Sequence, residues 1–129
     1  MALAIYQQAL KGLLHNKLGE YQQAITHYTK AIEIDPNSNN YNNRGVVYNN
    51  LREYQKAMPS SRCAPADFSK TIELNPNPIY SYYYRGLAYF YLKEYEKAIP
   101  DLTNALKFDP SLTLAKNKLE IAVLLSLLC

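Results

Sequence analysis

An all-α solenoid of three stacked helix-turn-helix units closed by a C-terminal helix is the fold class this sequence predicts, on three observations. The segments "LGEYQQAITHYTKAIEIDP", "LREYQKAM…DFSKTIELNP" and "LKEYEKAIPDLTNALKFDP" align as copies of one another. Each copy has a glycine nine residues before a tyrosine (Gly12 and Tyr21, Gly45 and Tyr54, Gly86 and Tyr95) and closes at a proline, Pro36, Pro76 or Pro110. Within the copies apolar residues recur at helical spacing, and self-similarity at a fixed period marks an array in which each unit covers its neighbour.

The undisturbed period, Pro76 to Pro110, is 34 residues. Gly12 to Gly45 is 33 and Gly45 to Gly86 is 41, so one residue is missing and seven are added. Tyr28, Phe68 and Leu102 each stand eight residues before their proline, which confines the addition to residues 59–66, between Ala57 and Phe68. The deletion falls in the Asn-rich turn "DPNSNNYNN". The chain therefore reads as a single domain with units at about 5–37, 38–77 and 78–111, followed by a helix over about 112–128.

Each unit divides into two helices. In "YSYYYRGLAYFYL", Tyr80, Tyr83, Leu87 and Phe90 form one stripe and Tyr82, Gly86 and Tyr89 another, so this first helix is covered on two sides. "EKAIPDLTNALKF" places Ala98, Leu102, Ala105 and Leu106 on one face, a one-sided amphipathic second helix. The units end in Asp-Pro or Asn-Pro, where proline cannot continue a helix. A glycine inside a helix costs ~1 kcal/mol relative to alanine. Its recurrence at Gly12, Gly45 and Gly86 implies a close approach of two helices, and Ala24, Ala57 and Ala98 recur three residues after each tyrosine.

The seven extra residues are compatible with two added helical turns, since they rotate a helix by about 700°. Pro59 matches the register of Pro100, but Pro65 inside a continuous helix would cost ~3 kcal/mol. The second helix of unit two is therefore expected to begin near Pro65, after a loop holding Ser60, Ser61, Arg62 and Cys63, with Phe68 and Ile72 returning to the core. The insertion reads as one tolerated at an exposed junction; as a functional element it would be a recognition loop or a hinge for helix exchange.

Bulk properties exclude several classes. Of 129 residues, 48% are hydrophobic and 19% charged, an ordinary globular balance. The formal charge of +3 is spread along the chain, which argues against nucleic acid. Cys63 and Cys129 lack metal or disulfide spacing and suit a reducing compartment, and "MALAIYQQALKG" lacks the marks of a signal peptide, so a cytoplasmic location and no membrane insertion are expected. No nucleophile elbow, phosphate loop or metal-ligand cluster is present; catalytic residues, metal and cofactors are expected to be none. His15 reads as a packing histidine, His27 as outward-facing, and the carboxylates as capping and dipole partners. Thirteen tyrosines without a tryptophan point to rings at a binding surface.

Together these residues resemble the tetratricopeptide repeat family, whose signature is an aromatic, a Leu-Gly pair, a Tyr, an Ala, an aromatic and a Pro over 34 residues. The third unit has Tyr82, Arg85, Gly86, Tyr89, Ala98, Leu102 and Pro110; the second has Tyr41, Arg44, Gly45, Tyr48, Ala57, Phe68 and Pro76. The first is more degenerate, with Gln8, Lys11, Gly12, His15, Ala24, Tyr28 and Pro36. Lys or Arg replaces the usual Leu before glycine, which reads as a tolerable change at a helix edge.

The resemblance implies a right-handed superhelix whose first helices line a concave groove for an extended peptide or a partner helix. By register the groove positions are Asn16, Asn42, Val46, Asn49, Asn50, Tyr80, Tyr83, Leu87, Phe90 and Tyr91, with Tyr6, Ala9, Leu13, Lys17 and Asn39 beside them. Amides donate and accept, and Tyr rings bury apolar side chains, so a weakly charged, partly apolar peptide is the expected partner. Chaperone-binding members carry a basic clamp for a C-terminal carboxylate. Only Asn43 fits it here; Ala9, Leu13, Tyr80 and Tyr84 stand where Lys, Asn or Arg belongs, which disfavours a chaperone tail. The tail "LAKNKLEIAVLLSLLC" is apolar nearly all round from Ile121 to Leu128, and self-association through it, or through the insertion, is the alternative function.

Overall fold

The computed structural model describes residues 2–54, 63–75 and 78–128. They form seven helices in chain order: α1 (Ala2–Lys17), α2 (Tyr21–Ile34), α3 (Ser38–Tyr54), α4 (Cys63–Leu74), α5 (Ile79–Tyr91), α6 (Tyr95–Phe108) and α7 (Thr113–Leu128). Among the described residues there is no strand, and no helix is long and apolar enough to cross a membrane. Each helix packs on the next, and the first helices also touch across units, α1 with α3, α3 with α5 and α5 with α7. That double adjacency makes a stack of hairpins.

The glycines show how tightly the hairpins close. A Cβ on Gly12 would sit 2.7 Å from the Tyr28 ring, on Gly45 2.8 Å from Phe68 and on Gly86 2.8 Å from Leu102. In each unit the backbone of the first helix thus rests on the large apolar side chain of the second, and Phe68 and Leu102 are fully buried. Ala24 and Ala98 are fully buried too. Asp35 and Asp109, immediately before Pro36 and Pro110, leave the helix in extended conformation while their N–H groups still bond the carbonyls of Ala31 and Ala105. Ala57, Pro59, Ser60, Ser61, Arg62 and Pro76 lie outside the described residues.

One boundary expectation shifts. Cys63, assigned from sequence to the loop, belongs to α4, which begins two residues before Pro65. Pro65 is still in the first described turn, where a missing N–H sacrifices no intrahelical bond. Helix α6 runs unbroken through Pro100.

The C-terminal helix is less uniform than its composition suggests. Ala115 and Ala122 are buried, Ala115 in one cluster with Leu87, Ala98 and Leu102. Ile121, Leu124, Leu127 and Leu128 are exposed. The buried alanines stand 34 residues after the buried Ser81 and Ala88, so α7 takes the place of a first helix in a fourth unit.

Candidate functional site

In units two and three the residue before the glycine does more than occupy a helix edge. Arg44 donates from Nε and Nη2 to Oδ2 and Oδ1 of Asp67, both at 2.8 Å, and Nη1 reaches Thr29 Oγ1 at 3.2 Å. Arg85 repeats the pattern with Asp101 at 2.7 and 2.8 Å and Ser69 Oγ at 3.0 Å. Each guanidinium thus joins the two helices of its own unit to the second helix of the unit before it. Planar, two-pronged pairing holds both charges in a site where the aspartates are only 5% exposed. Bonding to Asp67 raises the pKa of Arg44, while burial pushes the Asp67 carboxyl up against the pull of Arg44. Asp67 and Asp101 are therefore buried ion-pair partners, correcting their assignment to capping and dipole roles. The signal was in the sequence: Arg before glycine and Asp before the large core residue occur together in units two and three and are both absent from unit one, which has Lys11 and His27.

Unit one closes differently. His27 is half-buried between α1 and α2, bonded through Nδ1 to Gln8 Oε1 at 2.9 Å and stacked on His15 with ring centres 5.1 Å apart. It does not face outward as expected, because it fills the place that aspartate takes in the other units. Glu20 and Glu94, at the N-caps of α2 and α6, make no side-chain capping bond; Glu20 instead meets His15 Nδ1 at 3.3 Å.

The expected amide row is divided in its use. Asn50 Nδ2 donates to Asn16 Oδ1 at 3.0 Å, linking α3 to α1. Asn49 Nδ2 donates to the Tyr84 carbonyl at 3.1 Å, and Ser81 Oγ donates to Asn42 Oδ1 at 3.2 Å, linking α3 to α5. Four expected groove amides thus help to stitch the first helices together. Asn49 Oδ1 is buried without a hydrogen-bond partner among the described residues. Asn39 and Asn43 make no side-chain hydrogen bond among the described residues and line an open cleft of about 620 Å³ between α1 and α3 with Ile5, Ala9 and Asp35. A second cleft of about 190 Å³ shares Asn39 and continues past Asn42 to Pro78, Tyr80 and Ser81 at the start of α5. The two clefts adjoin at Asn39, near the N-terminal ends of α3 and α5, and together are called the trough.

Expected aromatic and aliphatic positions also separate. Tyr80 is 58% exposed. Leu87 is a correction: it is 7% exposed and packs on Ala98, Leu102 and Ala115, the direction its second helix dictates. Val46 packs on Ala64, Phe68 and Ala88. Tyr83, Phe90 and Tyr91 are half-buried against the Leu87 cluster, where burial raises the Tyr83 pKa, and Lys118 of α7 sits 4.8 Å over Phe90 and 5.5 Å over Tyr91. Tyr84 stacks on Phe68 at 5.6 Å. The side chain of Tyr6 lies outside the described residues.

Stacked hairpins, a recurring glycine contact and a trough across first helices define a class, the helical-repeat proteins. Comparison specifies it further: the tetratricopeptide repeat profile matches residues 8–38 and 79–112, about half of the chain. The chain belongs to the tetratricopeptide repeat family. It is 33% identical over 72 residues to the mitochondrial import receptor subunit TOM70 of Homo sapiens, a match covering 51% of this chain and 11% of that protein. It therefore spans about a tenth of the curated relatives it matches. Among solved structures, the first TPR domain of human RPAP3 superposes with a TM-score of 0.81 at 29% identity, covering 94% of this chain and 91% of that one. The first TPR of Spaghetti (RPAP3), bound to the HSP90 peptide SRMEEVD, gives 0.80 at 29% identity over 94% of each chain. The Arabidopsis OM64 TPR domain gives 0.79 at 26%, covering 92% and 93%.

Proposed function

We propose that this chain is a protein–protein interaction module that holds a peptide segment in the trough across α1, α3 and α5. The observation that carries this reading is the similarity, over nearly the whole of both chains, to the Spaghetti domain bound to a peptide. The local chemistry supports it: Asn39 and Asn43 retain donors and acceptors suited to an extended backbone, and Tyr80 offers an exposed ring for an apolar side chain. No residue is assigned a catalytic role. A cytoplasmic location, with Cys63 exposed as a free thiol, belongs to the same proposal.

Selection of the chain against a random peptide library, followed by titration of recovered peptides, tests the reading. Tyr80→Ala is expected to weaken binding about tenfold, the loss of a well-placed aromatic contact, with an unchanged circular dichroism spectrum because the ring is exposed. Failure to recover any peptide, or equal binding by Tyr80→Ala and Asn43→Ala, removes the trough as the site.

The exposed residues of α7 favour self-association as a second contact. Light scattering of Leu124→Lys decides it: a mass equal to that of the parent chain leaves this face without that role.

A further inference from the structure

The trough has an unusual charge balance for a peptide site. Its described lining contains one charged side chain, Asp35, and no lysine or arginine. Arg44 of α3 and Arg85 of α5 are held by Asp67 and Asp101. Asp35 accepts from Asn37 Nδ2 on Oδ2 at 2.7 Å, and no hydrogen bond to Oδ1 is formed by the described residues. A peptide ending here in a free carboxylate would surrender its hydration to amides, an aromatic ring and a like charge, with no cation in return. An internal segment brings no terminal charge, and a basic side chain on it would find a carboxylate.

We infer that the trough selects an internal, extended peptide segment carrying a lysine or arginine opposite Asp35 and an apolar side chain at Tyr80. This rests on the trough being a peptide site and adds the class of peptide. Asn39 and Asn43, one helical turn apart on α3, bond successive backbone groups of the segment between those two anchors.

The test presents one random 12-residue library to the full chain in two formats, fused at both ends and with a free C-terminus. The internal format is expected to enrich, with Lys or Arg dominating one position. Asp35→Asn, which keeps the acceptor for Asn37, is expected to weaken the selected peptides about three- to fivefold at low salt, the range of an exposed ion pair, and to leave peptides with Lys→Gln at that position unchanged. Equal or better enrichment of the free C-terminal format overturns the inference while leaving the trough a peptide site. Internal binders without a basic preference overturn the assignment to Asp35. No enrichment in either format overturns the peptide reading and this inference with it.

Discussion

Gly86 faces Leu102 so closely that an added methyl group would lie 2.8 Å from Cδ2 and 3.2 Å from Asp101 Cβ. Leu102 is fully buried, so a shift of its side chain would have to displace packed neighbours. Alanine gains up to ~1 kcal/mol of helix propensity, whereas overpacking a closed interface costs ~1–3 kcal/mol. Gly86→Ala is therefore expected to lower stability by about 1–2 kcal/mol in urea denaturation, and a neutral result would mean that the hairpin opens freely. The turn after α5 carries the opposite kind of strain. Lys93 has φ +63°, and its counterpart after α1 is Gly19 at φ +77°. Both turns close the same way, with Glu94 N on the Tyr89 carbonyl and Glu20 N on the His15 carbonyl. Lys93→Gly removes a Cβ from a left-handed conformation and is expected to stabilise by about 0.5 kcal/mol after the extra chain entropy of glycine is counted.

Between elements, the seam of α1 and α2 is the one that responds to mild acid. Burial, then His15, Lys11 and Lys30, hold the His27 pKa below its ordinary 6.5. A depressed histidine pKa means that the folded state prefers the neutral ring, so its contribution is present above pH 6.5 and is lost as pH falls through the lower folded value. Melting temperature is expected to drop between pH 7.5 and pH 5, and His27→Gln, which can still bond Gln8, should remove part of that drop. An identical pH dependence in the variant would place the acid sensitivity elsewhere. Units two and three lack this titration because an arginine–aspartate pair occupies the corresponding seam.

Across the whole molecule, stability in a stacked array is a sum of unit terms and neighbour terms, and the two arginine clasps belong to both. Replacing Arg85 by Met strands Asp101, 5% exposed, without its counter-charge, at a cost of about 3–5 kcal/mol. It also releases Ser69 of the unit before. Urea unfolding followed by circular dichroism is expected to shift to lower denaturant and to broaden as unit three separates from unit two. Adding Asp101→Leu should recover much of the loss, since an apolar pair of similar volume serves such a site about as well as the ions do. A double variant no better than the single one would show that the bond to Ser69, and not the stranded charge, is what matters.

The amino-acid sequence by itself determined the period, the hairpin division of each unit and the glycine contacts, because these features recur and a repeat tests the same inference more than once in one chain. By register it also puts Ala9, Leu13, Tyr80 and Tyr84 where the resemblance expects the cations and amides of a carboxylate clamp. Only the tertiary structure decided how the first helices spend their remaining faces: Leu87 and Val46 go to the core, Asn16, Asn42, Asn49 and Asn50 to neighbouring first helices, and Asn39, Asn43 and Tyr80 to the trough. The physical reason is geometric. Helical periodicity gives a residue's angle around its own axis, but a first helix here is touched by its own second helix and by the first helices beside it. Which neighbour stands at which angle is set by how the units pack, and the same asparagine is a stitch or a binding group according to what lies across from it.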